Sequence, residues 1–342
     1  MVKEIVREIG DHSKLSLGEC ERLTDAEVEE RIKYKESSPP GKIKFSLSSA
    51  VFMSSPPETI MRVAADLDFD GVEPLLTSQF LKREPDDLKR LADEYELEIF
   101  SFHASYFTYQ TKLGTFIRPQ DDRLIPKRDI RIGLPLLFLM PNLLQSRDRI
   151  TQMVYAFQAP LVVHAEQVLL TDRFLGNKDG IFDWMGELNE DGLLLVEDAE
   201  LSFVAGPWAQ ELRPENFVKS YPEFSRRTLD TGYLASYFGK NLFRWMERMD
   251  LEIVNIHLSD GLTDEFKVHL PLGEGNLPLR QFLYGLHQIG YSGIITLETL
   301  NRRSVYPYLT ALPFRPTQKI AEGMHMPILK ESLAFARKYT CS

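Results

Sequence analysis

Six side chains able to bind a metal or move a proton stand at the ends of six short β-rich runs: His103, His164, Glu197, Asp230, His257 and Glu298. The runs are 98–103 (EIFSFH), 161–164 (LVVH), 193–197 (LLLVE), 228–230 (TLD), 253–257 (IVNIH) and 293–298 (GIITLE). Parallel strands closed into a barrel open their C-terminal ends on one face, where barrel enzymes keep their active sites. Strand side chains alternate, so stepping back by two gives Ser101, Val162, Leu195, Thr228, Asn255 and Thr296 as companions on the inward face. Three carboxylates gathered in one pocket cannot all stay charged without compensation. A divalent cation provides it, and a ligand set of His with Asp and Glu suits Zn, Mn, Co or Fe. Any one of these residues alone is an ordinary strand end. Six at matching positions on six successive strands point to a site.

Further candidates flank that set. Glu73, in GVEP, lies near the end of an earlier run and lines the expected pocket. His269 falls in the loop after the seventh run, ahead of Gly273-Glu274-Gly275-Asn276 and a helix opened by Pro278. Arg302 and Arg303 follow the eighth run, where barrel loops often bind phosphate, and paired arginines suit a phosphate or carboxylate. Arg226 and Arg227 precede the sixth run and belong to the opposite, stability face. His12, His287 and His325 sit on the N-terminal segment or on helices and carry no assigned function.

The elements that must position these residues are legible from residue 42 onward. Two more β-rich runs, 43–48 (IKFSLS) and 71–75 (GVEPL), bring the strands to eight. Between and after them lie stretches of helical period: 57–66, 85–95, 147–157, 179–188, 214–221, 236–249, 278–289 and 319–339. Several open with Asp, Ser or Pro, as helix starts do. Eight strand–helix pairs predict a single (β/α)8 TIM barrel over 42–342. A doubly wound open sheet would announce itself by a Gly-rich turn after its first strand, and here that strand ends in Ser-Ser-Ala. The gap between the third and fourth runs is too long for one helix, so an insertion is expected at 108–142. Residues 1–41 are charged, end in KESSPPGK and read as an N-terminal extension, with a short helix at 19–32 capped by Thr24 or Asp25.

Bulk properties narrow the classes. The 342 residues are 43% hydrophobic and 26% charged, proportions of a soluble globular chain. Forty Lys and Arg against 50 Asp and Glu give a net charge of −10, with no basic block along the chain, which argues against a general grip on nucleic acid. The longest apolar run, 134–140 (LPLLFLM), is closed by Pro141 and is far short of the roughly 18 residues of a spanning helix. Two cysteines, Cys20 and Cys341, suit a reducing compartment, and MVKEIVREIGDHSK lacks the apolar core of a secretory leader. The expectation is a cytoplasmic protein. Self-association into a homo-oligomer is compatible with the sequence and not legible in it.

The stretches FDGVEPL, FSFHASY, LVVH, LLLVEDAE, LDTGY, IHLSD, HLPLGEGNLP and GYSGIITLE, in this order, resemble the xylose isomerase-like TIM barrel superfamily. That group includes sugar isomerases and epimerases and the endonuclease IV type of abasic-site nuclease. The resemblance implies a metal held by Glu197, Asp230, His257 and Glu298, and a second one, in the nucleases, held by His103 and His164 and bridged by Glu197. A third nuclease site implies a His and an Asp where this chain has Tyr233 and Lys267, although His269 is kept. The sugar epimerases usually carry a His at the Tyr233 position too, and the ketose epimerases an Arg where Thr263 stands. The resemblance therefore implies a shared metal scaffold, with one or two Mn, Co, Mg or Zn ions per chain, inside an altered substrate shell. The leading expectation is an enzyme that isomerises or epimerises a sugar or sugar phosphate through an enediolate. Glu197 and Glu298 would exchange the proton and Lys267 would add electrostatic stabilisation. His269, Tyr233, Glu73, Arg302 and Arg303 are the expected substrate contacts, with Trp208 of the AGPW loop stacking on a sugar face. The alternatives are a two-metal phosphoesterase and a non-catalytic barrel that binds a ligand or partner.

Overall fold

The computed structural model describes residues 15–33, 43–52, 55–104, 143–173, 180–198, 208–238, 242, 252–263, 267–299 and 315–340. The expected insertion at 108–142, Arg302 and Arg303 lie outside them. The strands are β1 (Lys44–Ser48), β2 (Gly71–Glu73), β3 (Glu98–Ile99), β4 (Phe102–His103), β5 (Leu161–His164), β6 (Leu194–Glu197), β7 (Arg226–Asp230), β8 (Glu252–Leu258), β9 (Asp260–Leu262), β10 (Lys267–Leu270) and β11 (Ile294–Leu297). Nine of them form one parallel sheet in the order β3-β2-β1-β11-β8-β7-β6-β5-β4. The two ends of that list, β3 and β4, are halves of one stave. The Phe100 amide donates to the Val72 carbonyl on one side, and the Phe102 amide to the Pro160 carbonyl on the other. The third stave thus closes a barrel of eight, as the sequence predicts.

Alternation sorts the side chains. Phe45, Leu47, Val72, Phe102, Leu161, Val163, Leu194, Val196, Leu229, Ile256, Ile295 and Leu297 join the apolar core. That core includes Ile60, Met61 and Val63 of α3 (Pro57–Asp66), Leu88 of α5 (Pro85–Glu94) and Ile150 and Val154 of α6 (Leu143–Phe157). The short α4 (Ser78–Leu81) precedes α5. The alternate positions Ser46, Ser48, Ser101, Thr228, Asn255 and Thr296 are buried polar groups inside the barrel. Val162 and Leu195, also buried, stand apart from the outer core, as their parity requires.

The chain returns to the sheet by one recurring turn. α3 and α5 end on Asp68 and Glu96, and α6 on Gln158, all with positive φ. Two later helices, α8 (Ile181–Glu190) and α12 (Leu279–Ile289), end on Gly192 and Gly290 in the same conformation. In each case the next amide bonds back to the last helical turn, as Phe69 does to the Ala64 carbonyl and Leu193 to that of Leu188.

Several boundaries differ from the sequence reading. The N-terminal helix is two: α1 (Leu17–Glu21) and α2 (Asp25–Lys33), separated because Ser16 and Thr24 each cap a new start. Both lie against the barrel, with Asp25 paired to Arg280 and accepting from Gln281. α7 (Ala165–Arg173) begins directly after β5 and was not foreseen, because its first residues lack a start signal. Most of the helix expected at 236–249 lies outside the described residues; ahead of it α11 (Thr231–Phe238) starts directly at the end of β7, where Thr231 and Gly232 follow the strand without a loop. Short α9 (Trp208–Glu211) and α10 (Pro214–Ser220) lead into β7, which starts at Arg226, so Arg226 and Arg227 lie within the strand and not before it. His269 is on β10 of an antiparallel hairpin with β9, not in an irregular loop. α13 (Arg315–Thr340) completes the barrel. Among the described residues no helix is long and apolar enough to cross a membrane.

Candidate metal centre

The six predicted residues converge. His103, His164, Glu197 and Asp230 close their strands, His257 is the penultimate residue of β8, and Glu298 follows β11 directly. All six are buried. Register brings neighbours side by side, His164 with Glu197 and Asp230 with His257.

The contacts centre on two carboxylates. Glu197 Oε2 lies 2.9 Å from His103 Nε2 and 3.6 Å from His164 Nε2. Glu197 Oε1 is 2.8 Å from His257 Nδ1, and Glu298 Oε2 is 3.0 Å from the same nitrogen. Two atoms each about 2.1 Å from one ion are about 3.0 Å apart at right angles and about 3.4 Å apart in a tetrahedron. The observed spacings, from 2.8 to 3.6 Å, bracket that range. His103, Glu197, His257 and Glu298 form one group able to hold an ion, and Asp230, His269 and Glu298 form another, so Glu298 belongs to both.

The donor chemistry independently fits a cation. His103 Nδ1 faces the Ala104 carbonyl at 2.8 Å and its Nε2 faces Glu197, so both ring nitrogens meet acceptors. Asp230 accepts from the Tyr233 amide at Oδ1, while its buried Oδ2 has no hydrogen-bond partner among the described residues. Among the described residues, every ion pair of Glu73, Glu197, Asp230 and Glu298 is to a histidine, which is cationic only when protonated. From the protein's own groups alone the site is strained in charge. Burial pushes the Asp230 carboxyl up, and the charges of Glu197 and Glu298 push it further. Burial opposes a charged His103, yet its hydrogen bond to Glu197 and the nearby carboxylates raise it to about 9. Burial brings His164 down to about 4 despite Glu197. Burial would raise Glu197, but His257, His164 and His103 hold it well below the usual carboxylate range. A divalent ion among these side chains would offset the carboxylate charges without requiring protonated histidines.

Around this centre, Tyr233 Oη and His269 Nε2 are 3.1 Å apart, and His269 Nδ1 lies 3.9 Å from Asp230 Oδ2. Glu73 is wholly buried, with Oε2 accepting from Ser101 Oγ (2.6 Å) and Asn255 Nδ2 (2.9 Å). Lys267 opens β10 and Trp208 opens α9; their side chains, like Arg302 and Arg303, lie outside the described residues. Sequence reasoning missed Asp260. Its carboxylate accepts from the amides of Gly261, Gly273, Gly275 and Leu277 and so ties the 271–277 turn to the hairpin beside His269. The signal was present as an Asp followed, after the hairpin, by Gly-Glu-Gly. A Cβ on Gly275 would lie 2.2 Å from Asp260 Oδ1, so only glycine allows this approach. Glu166, buried and 3.9 Å from His164 Nδ1, was also missed.

Comparison with known proteins agrees with this architecture. Residues 228–331 match the family described as xylose isomerase-like TIM barrel. The chain is 24% identical over 307 residues to an uncharacterized protein of Mycobacterium leprae (strain TN), covering 87% of this chain and 98% of that one. D-psicose 3-epimerase of Clostridium cellulolyticum H10, solved with D-tagatose, superposes with a TM-score of 0.52 at 16% identity, over 87% of this chain and 99% of that one. The IOLI protein with a bound zinc atom gives 0.52 at 15% identity, over the same shares. The 3-keto-D-glucoside 4-epimerase YcjR of E. coli gives 0.50 at 14%, over 86% and 99%. The family match covers the C-terminal part of the barrel, and at these identities the likeness to the solved structures concerns the fold alone.

Proposed function

We propose that this protein is a divalent-metal-dependent isomerase or epimerase of a sugar or sugar phosphate. The observation that carries the reading is the approach of Glu197 and Glu298, from the ends of β6 and β11, to one nitrogen of His257. His257, Glu197, Glu298 and Asp230 would hold the ion, with His103 beside them. When bound, the ion supplies a Lewis acid that polarises a carbonyl beside a hydroxyl and stabilises the enediolate. The two glutamates do the proton work. A substrate carbon held between them presents one face to each carboxyl group, so one removes the proton and the other, protonated, returns it. Tyr233 and His269 form a hydrogen-bonding pair suited to a substrate hydroxyl, and Lys267 would add positive charge at this rim. Solved relatives of this fold include proteins named as sugar epimerases, which supports the substrate class.

The test is solvent exchange. In D2O, with Mn2+, Co2+ or Zn2+ added, ketoses and their phosphates should take up deuterium at the carbon next to the carbonyl. Glu197→Gln and Glu298→Gln should each lower that rate at least about a thousandfold (about 4 kcal/mol added to the activation barrier) with the fold kept. Either variant exchanging at the full rate would refute the assignment. A second reading, a two-metal phosphoesterase, rests on both His103 and His164 facing Glu197 Oε2. It predicts about two Zn per chain, falling to one in His103→Ala, and phosphodiester cleavage in place of exchange.

A further inference from the structure

His257 meets acceptors on both sides of its ring. Nδ1 faces Glu197 and Glu298 at 2.8 and 3.0 Å. Nε2 lies 2.9 Å from Glu73 Oε1. Both Nε2 and Oε1 are buried, and among the described residues neither has an aligned hydrogen-bond partner, so each is the partner available to the other. If Nδ1 gives its lone pair to an ion, the ring proton must sit on Nε2, and Glu73 is the group placed to accept it.

Glu73 is itself fixed from behind. Ser101 and Asn255 both donate to its Oε2. Asn255 cannot turn its amide over cheaply, because its Oδ1 accepts from Thr296 Oγ1 at 2.9 Å. These residues come from β2, the link between β3 and β4, β8 and β11, so four staves contribute to one buried polar floor. The carboxylate therefore has Oε2 occupied by two donors and Oε1 left for His257.

We infer that Glu73 is a positioning residue that keeps the His257 proton on Nε2 and so leaves Nδ1 as the metal-binding atom between Glu197 and Glu298. This rests on the metal reading above but not on the identity of the substrate. Metal-bound histidines generally donate their second ring N–H to such a carboxylate, and removing it costs about 10- to 100-fold in metal affinity. A glutamine here has one acceptor oxygen where three donors compete. With that oxygen toward Ser101 and Asn255, its NH2 group faces Nε2 and drives the imidazole proton to Nδ1, where it blocks the ion. With the oxygen toward His257, the NH2 group opposes the Asn255 amide.

The experiment compares the full-length wild type, Glu73→Gln and Ser101→Ala. Zn2+ affinity is measured by competition with a chromophoric chelator. The protonated nitrogen of His257 is read by 15N NMR in the Zn-loaded protein, and the unfolding midpoint of the metal-free form is recorded. The expected result is an affinity about 10- to 100-fold weaker in Glu73→Gln, with the metal-free midpoint close to wild type. Ser101→Ala should show a smaller loss in the same direction, and this variant carries the test if Glu73→Gln does not fold. Zn-loaded wild type should carry its His257 proton on Nε2. Equal affinity in all three proteins, or Zn2+ bound through Nε2, would overturn the proposal while leaving the metal reading intact. A wild type that takes up neither Zn2+ nor Mn2+ would overturn both.

Discussion

Glu197 and Asp198 are consecutive residues with opposite duties, because adjacent side chains at a strand end leave by opposite faces. Glu197 turns into the barrel. Asp198 meets Arg227, and both are buried. Arg227 also stacks over Phe217, with its guanidinium carbon 5.0 Å from the ring centre, while its Nε and Nη1 have no hydrogen-bond partner among the described residues. Burial raises the Asp198 carboxyl to about 6 even with Arg227 beside it, so this pair holds the fold at a cost. Breaking one half of a buried pair leaves an uncompensated charge, whereas replacing both halves with apolar groups is often neutral or better. We therefore expect Arg227→Met to destabilise the protein by about 3–5 kcal/mol, and Arg227→Met with Asp198→Leu to recover much of that loss. Urea denaturation of the two variants checks this. A single variant as stable as wild type would mean that the pair contributes nothing.

At the scale of elements, the β9–β10 hairpin needs fastening because it stands outside the barrel sheet. Asp260 fastens it with four backbone amides, and Gly232 lets α11 lie close, since a Cβ there would be 3.0 Å from Val268 Cβ and from Ser259 Oγ. Asp260→Ala should raise the hydrogen-exchange rates of the Gly273, Gly275 and Leu277 amides by about tenfold or more, a local loss of about 1.4 kcal/mol, while strand amides such as Val196 stay protected. Unchanged exchange at those three amides would show that the turn holds itself. This hairpin was also hard to read in the sequence, where only the 108–142 insertion was less legible. The eight staves could be read because each has a short β-branched or apolar run, most with a polar inward alternate, and the candidate site could be read because its six side chains close those runs. The hairpin could not, because KVHL is too short for a period and its positive-φ His269 carries no turn signal. The glycine turns at Gly192 and Gly290 were visible as punctuation. The equivalent turns at Asp68, Glu96 and Gln158 were hidden, because residues with a Cβ take the same left-handed conformation there. The Glu73 floor was half visible: parity placed Ser101, Asn255 and Thr296 inward, but only three-dimensional register joins them.

For the molecule as a whole, the candidate site ties distant parts of the chain together, since its side chains run from His103 to Glu298. An ion that binds only the folded chain stabilises it by about 2.7 kcal/mol at a hundred times its Kd. With an unfolding entropy of about 2.1 cal/mol/K per residue, the 342-residue chain would gain about 4 °C in midpoint. Scanning calorimetry of protein stripped with a chelator and then reloaded with Zn2+ or Mn2+ should show that rise. No rise at saturating metal would argue that the centre takes no ion in the native state. The split third stave has a consequence of another kind. Because β3 bonds to β2 and β4 to β5, the large sheet, among the described residues, has no free margin on which a strand from another chain could pair. A strand of another chain could therefore enter the described sheet only after Phe100 and Ser101 had been prised out of the barrel wall, so the closure that gathers the site also withholds this sheet as a template for fibre growth.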